Sequence, residues 1–270
     1  MTDFEGLKKA LEKSESWEEE WKRVDRDYYS RIEFVIQAHY IKKLIKTGES
    51  VIDIGSGSGR YAIELLKRGS KVALTDLSEN FLKKAEGEIR KLGLSGGLLE
   101  VRQQNALRLD AFGDARFDHA LFMGPMFYME TQEERRRALL EAARVVKGGG
   151  LIFLTIISNL RFVQEMFYVP NLNFRLVALG NYAGTVGDIL NKGLNRPECV
   201  KQLIAECGLE AAVVYGTDSA AGMAFDKIDE MVVSEENWRL MLDVLIKMSA
   251  DPAIIGLSSH TTYVLRKTAT

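Results

Sequence analysis

The chain has 270 residues, of which 46% are hydrophobic and 27% are charged, and its formal net charge is −2. This composition is typical of a globular protein, and the length lies near the upper limit of about 250–300 residues for one hydrophobic core, so we expect one large domain with a cap. The near-zero net charge argues against a nucleic-acid partner, and no apolar run of about 18 residues predicts a membrane span. The charged N-terminus and the two cysteines, Cys199 and Cys207, favour a cytoplasmic protein without a structural metal.

Predicted helices and strands alternate along the chain. After a charge-rich N-terminal stretch, apolar residues at helical spacing predict a helix over Tyr28–Lys46. Short apolar runs predict strands at Ser50–Ile54, Lys71–Thr75, Leu98–Gln103, Phe117–Met123, Gly150–Ile157, Leu209–Tyr215 and Thr261–Arg266. Further helices are predicted over Gly59–Arg68, from Ser78, over Thr131–Lys147, from Pro197 and around Trp238–Met248. The alternation predicts an α/β fold in which helices cover both faces of a doubly wound, parallel sheet.

A glycine-rich loop follows the first predicted strand. Gly55, Gly57 and Gly59 stand where glycine lets the backbone turn tightly and approach a ligand closely, just before a helix N-terminus with unpaired N–H groups. The dinucleotide fingerprint has its third glycine one position later, where this chain has Arg60. Asp53 precedes the loop by two residues and disfavours a pyrophosphate, whereas it favours an ammonium group. A dinucleotide oxidoreductase is therefore a distant alternative.

A second carboxylate defines the nucleoside end of the predicted site. Asp76 closes the second predicted strand, where a carboxylate can accept hydrogen bonds from both hydroxyls of a ribose. Together with Asp53, it favours a nucleoside that has a cationic tail and no phosphate. S-adenosylmethionine is that molecule.

At these residues the chain resembles the class I S-adenosylmethionine-dependent methyltransferases. Val51–Gly59 is similar to their first motif, Val72–Asp76 to their second-strand motif, and Gln104–Ala106 to their adenine-contacting segment. Gly124–Tyr128 and Pro252–His260 further resemble an uncharacterised branch of the family that we take to act on small molecules. The resemblance implies a Rossmann-like sheet of seven strands with an antiparallel last strand and helical lid insertions.

The resemblance also implies roles for individual residues toward S-adenosylmethionine. It assigns the ribose to Asp76, the adenine to Asn105 and Ala106, and the apolar surface beside the adenosine to Leu77 and Met123. It assigns the methionine portion to Gly55, Ser56, Gly57 and Gly59, the amino end to Asp53, and the carboxylate to Arg31.

The segments outside the cofactor-binding motifs are predicted to cover this site. We predict that residues 1–48 are N-terminal helices that cover the cofactor site and that residues 49–270 form the methyltransferase domain. Within that domain, residues 158–195 carry many aromatic side chains and are too long for a plain connection, so we interpret them as a substrate lid. Residues 217–257 are predicted to be a second helical insertion.

The predicted methyl acceptor is a small apolar or aromatic molecule that is methylated on oxygen or nitrogen. His260 is a candidate general base or orienting residue, and Tyr128 is a candidate catalytic wall residue. No metal is expected, because the loop after the fourth strand lacks carboxylate ligands. We interpret the charge run Glu133–Arg137 as a solvated helix face rather than an RNA-binding patch. A methyltransferase that acts on protein or RNA, and a non-catalytic S-adenosylmethionine-binding protein, are the alternatives.

Overall fold

The computed structural model of the chain describes residues 1–158, 194–224 and 227–267. The predicted substrate lid, residues 158–195, therefore lies outside the described residues except at its two ends. Among the helices of the described ranges, none is both long and apolar enough to cross a membrane.

Three helices precede the sheet, namely α1 (Phe4–Leu11), α2 (Ser14–Arg26) and α3 (Tyr28–Leu44). Helix α3 begins after Asp27, which has an extended backbone and whose carboxylate accepts a hydrogen bond from Ser30 N at 2.6 Å. This is an N-cap, and it satisfies an N–H group that the first turn of a helix leaves unpaired. Ile32 and Ile36 are fully buried on the side of α3 that faces the core.

Seven strands of the described ranges form one sheet. They are β1 (Ser50–Ile54), β2 (Lys71–Asp76), β3 (Leu98–Gln103), β4 (Phe117–Phe122), β5 (Val146–Ile157), β6 (Leu209–Gly216) and β7 (His260–Lys267). Their order across the sheet is β3-β2-β1-β4-β5-β7-β6. Strands β1 to β5 pair in parallel, whereas β7 is antiparallel to both β5 and β6. The predicted seven-stranded Rossmann-like sheet with an antiparallel last strand is confirmed.

The largest difference from the predicted strands is the start of β5, at Val146 instead of Gly150. Residues 147–149 carry no apolar side chain, so a search for apolar runs misses them. These residues can be part of β5 because the pairing between β4 and β5 shifts register there. Gly149 has φ +77°, and a Cβ added at Gly150 would lie 2.3 Å from Asp118 O, so glycine is needed at both positions of this bulge.

Among the residues that the structure describes, seven further α-helices follow the first strand. They are α4 (Arg60–Lys67), α5 (Glu79–Lys91), α6 (Gln132–Val145), α7 (Pro197–Glu206), α8 (Ile228–Met231), α9 (Glu235–Met248) and α10 (Pro252–Leu257). As predicted, Ser78 caps α5: its hydroxyl accepts a hydrogen bond from Phe81 N at 3.2 Å. Helices α8, α9 and α10 lie within residues 217–257, between β6 and β7.

The core lies on both faces of the sheet because successive strand residues point in opposite directions. Ile52 of β1 and Ile152 of β5 belong to the cluster that contains Leu139 of α6. Their neighbours Val51 and Phe153 belong to the cluster on the other face, which includes buried residues of α3, α4 and α5. Since both faces are covered, the ligand-accessible part of the parallel sheet is its carboxyl edge.

Candidate functional site

A cavity of about 940 Å³ lies at the carboxyl edge of the parallel strands. Residues at the ends of β1, β2, β4 and β5 and at the start of β7 line it, namely Asp53, Asp76, Met123, Ile157 and His260. Small-molecule sites have volumes of about 300–1,000 Å³, so this cavity lies at the upper end of that range.

Gly55 and Gly57 of the glycine loop line the cavity, whereas Gly59 at the end of the loop is not among its lining residues. Gly55, Gly57 and Gly59 all have left-handed backbone conformations, with φ of +72°, +53° and +77°. A Cβ at Gly55 would lie 2.5 Å from Pro125 Cγ, and a Cβ at Gly59 would lie 2.9 Å from Ala85 Cβ. Both the backbone conformation and the space therefore require glycine. The backbone N–H of Gly55 donates to Thr75 O at 2.9 Å, which ties the loop to β2.

Two buried carboxylates stand beside this loop. Asp76 Oδ2 accepts a hydrogen bond from Gly57 N and Asp76 Oδ1 one from Ser78 N, each at 2.9 Å. Burial raises the pKa of Asp76, and these backbone hydrogen bonds act in the opposite direction. Asp53 is 4% exposed, and burial together with the charge of Asp76 raises its pKa to about 7. A cation placed here would lower the pKa of Asp53 and be attracted by its carboxylate.

Further predicted cofactor residues also line the cavity, namely Ser56, Leu77, Asn105, Ala106 and Met123. Asn105 Oδ1 accepts a hydrogen bond from Leu107 N at 2.9 Å, so this oxygen stabilises its own turn. Ser56 Oγ is buried, and it has no hydrogen-bond partner among the residues that the structure describes.

The structure does not bring Arg31 to the cavity. Its side chain is exposed and its guanidinium carbon lies 5.5 Å from the centre of the Trp238 ring, while the residues that line the cavity do not include it. Three other arginines, Arg23, Arg26 and Arg60, line the cavity instead. Which cations face the cavity depends on how the N-terminal helices fold back, and residue spacing does not predict this.

The cavity-lining arginines are paired with carboxylates. Arg23 lies between Glu20, at 3.1 Å, and Glu33, at 3.0 Å, and these charges raise its pKa. Arg60 forms an ion pair with Asp25 and donates to the Trp21 carbonyl at 2.9 Å. These contacts connect α2 to α3 and to the start of α4, so the charged wall of the cavity is held in place.

Helices α1 and α2 both contribute side chains to the wall of the cavity. Phe4, Leu7 and Leu11 of α1 line it. Helix α1 is anchored at both ends: Thr2 N donates to Glu134 Oε1 at 2.9 Å, and the Glu12 carboxylate accepts hydrogen bonds from Glu79 N and Asn80 N, at 2.9 and 3.2 Å. A carboxylate at the N-terminus of α5 is also favoured by the dipole of that helix.

The two predicted catalytic residues both line the cavity. His260 is the first residue of β7, it is buried, and its ring centre lies 5.7 Å from that of Phe127. Tyr128 is about one-third exposed, and burial raises its pKa, with smaller contributions from the charges of Glu20 and Asp76. The Tyr128 phenol is therefore protonated at neutral pH and can act as a wall or a hydrogen-bond donor.

A hydrogen-bonded group beside His260 was not predicted. Asp218, 1% exposed, accepts hydrogen bonds from the Tyr29 hydroxyl at 3.1 Å and from Ser259 N at 2.9 Å, and Tyr29 and Ser259 both line the cavity. Tyr29 and Asp218 are 189 positions apart in the chain. No local motif connects them, so this group depends on tertiary structure.

The interpretation of Glu133–Arg137 as a solvated face is wrong for Arg135, which is 1% exposed. Its guanidinium donates to the carbonyls of Met126, Met129 and Leu194, at 3.3, 3.1 and 3.0 Å, and to Asn195 Oδ1 at 2.8 Å. The reason is helical spacing, because Arg135 belongs to the same buried stripe of α6 as the buried residues Ala138, Leu139 and Ala142. Arg135 thus links the turn that carries Tyr128 to the segment that follows residue 193.

No metal centre is found among the described residues, in which no group of three or more His, Cys, Asp or Glu side chains is placed to hold an ion. The titratable groups that the cavity does contain are carboxylates, arginines, tyrosines and His260.

Comparison with known proteins gives one family match and several relatives. Residues 52–154 match the family model of a methyltransferase domain. An uncharacterised protein of Mycobacterium tuberculosis is 34% identical over 125 residues, which cover 46% of this chain and 41% of that protein. A glycine/sarcosine N-methyltransferase of Parasynechococcus marenigrum is 29% identical over 143 residues, or 52% of this chain and 49% of that protein. The chain thus spans about half or less of the length of these relatives.

A solved structure supports the fold over a longer range. The geranyl diphosphate C-methyltransferase of Streptomyces coelicolor, solved in complex with Mg²⁺, geranyl diphosphate and S-adenosyl-L-homocysteine, aligns with a TM-score of 0.53 and 14% identity. The alignment covers 86% of this chain and 78% of that protein. At this identity the likeness shows a common fold.

Proposed function

Because this chain carries a class I, S-adenosylmethionine-dependent methyltransferase domain, we propose that it transfers a methyl group from this cofactor to an oxygen or nitrogen atom of a small acceptor. The observation that carries the proposal is the carboxyl-edge cavity, in which the glycine loop and Asp76 face aromatic side chains. The acceptor has apolar or aromatic character, since Phe34, Tyr61 and Phe127 line its part of the cavity.

The residues present fit the proposed cofactor. Gly55 and Gly57 line the cavity with backbone alone, and a Cβ added at Gly57 would meet nothing closer than Glu20 Cγ at 4.0 Å, so the loop backbone is open to a closely bound ligand there. The buried Ser56 hydroxyl has no protein partner within the described part of the chain, so it has hydrogen-bonding capacity left. Asp76 would hold the ribose, and Asn105 and Ala106 would hold the adenine. Asp53 would attract the amino end.

When bound, S-adenosylmethionine supplies a methyl group on a positively charged sulfur. The protein has to hold the acceptor atom, the methyl carbon and the sulfur in line and to exclude water, because alignment and desolvation provide most of the rate enhancement in such a displacement. Met123 and Leu77 would provide apolar walls beside the adenosine. Helix α1 would exclude water from above, since its apolar residues already face the cavity.

The acceptor gives up a proton when oxygen or protonated nitrogen is methylated, and His260 would accept it or orient the acceptor. His260 lines the cavity at the start of β7, and its ring lies near that of Phe127. Tyr128 would complete the wall as a protonated phenol. One relative is named a glycine/sarcosine N-methyltransferase, and this name supports a small acceptor.

The experiment has two parts. Calorimetry with S-adenosylhomocysteine tests the cofactor site, and we expect binding at a one-to-one ratio. Incubation with tritiated S-adenosylmethionine and a cell extract then tests the acceptor, with the extract separated into small molecules, proteins and RNA. Label in the small-molecule fraction is the expected result. Label in protein or RNA contradicts the proposed acceptor class, and cofactor binding without any label contradicts an enzymatic role.

A further inference from the structure

We propose that Gln37 of α3 determines which acceptors bind: its amide donates one N–H into the cavity and selects molecules that carry a carbonyl oxygen apart from the atom that is methylated. The inference rests on the proposed methyl transfer and deepens it. It concerns a part of the acceptor that does not react, so it is the same whether oxygen or nitrogen receives the methyl group.

Gln37 is a buried polar residue in the wall of the cavity. It is 1% exposed, and it lines the cavity together with Ser30 and Phe34, which precede it on the same face of α3. A buried amide costs free energy unless its hydrogen-bonding groups are paired. The partners of the Gln37 amide therefore decide what it can offer a ligand.

Three buried residues of the sheet hold this amide. Gln37 Nε2 donates to Thr155 Oγ1 of β5 at 3.0 Å. Gln37 Oε1 accepts from the Tyr215 hydroxyl of β6 at 2.6 Å and from Thr262 Oγ1 of β7 at 3.2 Å. The hydroxyl oxygens of Thr155 and Thr262 lie 2.8 Å apart, which closes a ring of hydrogen bonds. Strands β5, β6 and β7 thus all contribute to fixing the position of the amide.

The ring of hydrogen bonds also decides which way round the amide lies. Burial raises the pKa of Tyr215, so its phenol is protonated and donates to Oε1. If the amide were turned round, this buried phenol would lose its acceptor at 2.6 Å.

One donor of the amide is left over. A glutamine amide has two lone pairs on oxygen and two N–H groups on nitrogen. Tyr215 and Thr262 use both lone pairs, and Thr155 accepts one N–H. The second N–H has no acceptor in the part of the chain that the structure describes. Since Gln37 lines the cavity, we assign this N–H to a ligand.

The sheet places Gln37 near the proposed reaction centre without overlapping it. In the antiparallel pairing of β5 with β7, Thr155 lies opposite Thr262 and Ile157 lies opposite His260. Alternate residues of a strand share a face and are about 6–7 Å apart along it. His260 is therefore one such step from the threonine that holds Gln37. An acceptor can place one oxygen at Gln37 and present a different group at His260.

The polarity of the N–H identifies the group that it binds. An N–H donor pairs with a lone pair, and a carbonyl oxygen offers one without a proton of its own. A methylene group at the same place would leave the N–H unpaired in a buried site, which costs free energy. We therefore expect the cavity to bind a carbonyl compound more tightly than the matching hydrocarbon.

The test uses two phenols of similar size, 4-hydroxyacetophenone and 4-ethylphenol, which differ in one carbonyl group and share the hydroxyl. Their Kd values are measured by ligand-observed NMR on the full chain saturated with S-adenosylhomocysteine. The readout is the Kd of 4-ethylphenol divided by that of 4-hydroxyacetophenone. We expect this ratio to fall by about threefold to tenfold in Gln37→Met, the range that one neutral hydrogen bond provides. Gln37→Glu should lower it at least as far, because a lone pair then replaces the N–H.

The ratio separates recognition from a structural role. If Gln37 only supported the wall, its loss would weaken both probes alike and leave the ratio unchanged. Gln202→Met is the matched control, because Gln202 is an exposed glutamine of α7 whose amide donates to Glu206 at 2.7 Å, and it should not move the ratio. If Gln37→Glu does not fold, Gln37→Met decides alone, since it adds no buried charge.

Two results overturn the inference. One is a ratio in Gln37→Met within twofold of the wild-type value, and the other is failure of both probes to bind at millimolar concentration. Failure of S-adenosylhomocysteine to bind overturns the proposed function instead, and the ratio measured on the ligand-free chain then still tests Gln37.

Discussion

Asp53 at the end of β1 and Asp76 at the end of β2 are buried beside one another at the carboxyl edge of the sheet, and the charge of Asp76 helps to raise the pKa of Asp53 to about 7. Two carboxylates in one buried site repel each other when both are ionised. A positive charge beside the two carboxylates would reduce this repulsion, and the amino end of S-adenosylmethionine would provide such a charge.

The first prediction concerns cofactor affinity and pH. A bound ammonium group favours ionised Asp53, so S-adenosylhomocysteine should bind more tightly as the pH rises through about 7, the pKa of the ligand-free site. We expect an affinity about tenfold higher at pH 8 than at pH 6. Calorimetry at both pH values measures the difference. Asp53→Asn should bind weakly at both, and an equally strong pH dependence in this variant would contradict the assignment.

The same pKa predicts how stability depends on pH without ligand. Folded Asp53 holds its proton more tightly than the unfolded chain does, since its usual pKa is 3.8. Its contribution to the free energy of unfolding is therefore fully present below about pH 4 and is lost as the pH rises to about 7. Urea unfolding of the wild type and of Asp53→Asn between pH 4 and 8 should show this loss only in the wild type. If the free energies of unfolding of the two proteins differed by the same amount at every pH, the raised pKa of Asp53 would be refuted.

The glycine loop gives a prediction with an internal control. Gly59→Ala places a Cβ at φ +77° and 2.9 Å from Ala85 of α5, so it should cost about 2 kcal/mol of unfolding free energy. Gly87→Ala is the control, because Gly87 lies in α5, the helix that contains Ala85. A Cβ added at Gly87 would have no atom within 4 Å, and the φ of Gly87 is not in the left-handed region. Gly87→Ala should raise the free energy of unfolding by about 0.5–1 kcal/mol, because alanine favours a helix more than glycine does. Equal effects of the two substitutions in urea unfolding would show that the loop does not require glycine.

The parts of the fold that sequence predicts are those whose causes lie close together in the chain. The strand Val51–Ile54, the glycines after it and the cap Ser78 are local patterns, and each lies where it was predicted. Asp53 and Asp76 could be placed together because parallel neighbouring strands end at the same edge. This is a rule of topology, and it needs no knowledge of side-chain packing.

The parts that could not be predicted depend on packing between distant segments. Arg31 belongs to a helix that the sequence predicts correctly, yet which arginines face the cavity is decided by how α2 folds back onto α3 and α4. Tyr29 reaches Asp218 only because β6, β7 and α3 meet at one edge. Conversely, the burial of Arg135 was not predicted because the residue stands in a charge run, although its helical spacing from Ala138 and Leu139 is a signal from which its inward direction could have been found.

Arg135 is expected to stabilise the turn from Met126 to Met129, which carries Tyr128. Removing its guanidinium takes a donor from the buried carbonyls of Met129 and Met126, and the Met126 carbonyl keeps only a long hydrogen bond from Met129 N at 3.5 Å. Arg135→Met should therefore cost about 2–4 kcal/mol of unfolding free energy. Arg136→Met is the matched control, because Arg136 pairs with Glu133 at the surface, where solvent screens the pair and it contributes little to stability. Urea unfolding of both variants measures the difference. Similar losses in the two would show that the buried contacts of Arg135 contribute little.

The last prediction separates catalysis from binding at His260. If its imidazole takes the acceptor proton or orients the acceptor, His260→Ala should lower the rate of methyl transfer by about tenfold or more. S-adenosylhomocysteine affinity should stay the same, because the residues proposed to hold the cofactor are in the glycine loop and at Asp76. The control is His39→Ala, since His39 lies on α3 beside Tyr40 and does not line the cavity. Transfer from tritiated S-adenosylmethionine to the labelled small-molecule fraction measures the rate. Unchanged turnover in His260→Ala would remove this residue from the mechanism and leave alignment and desolvation by the cavity as the source of catalysis.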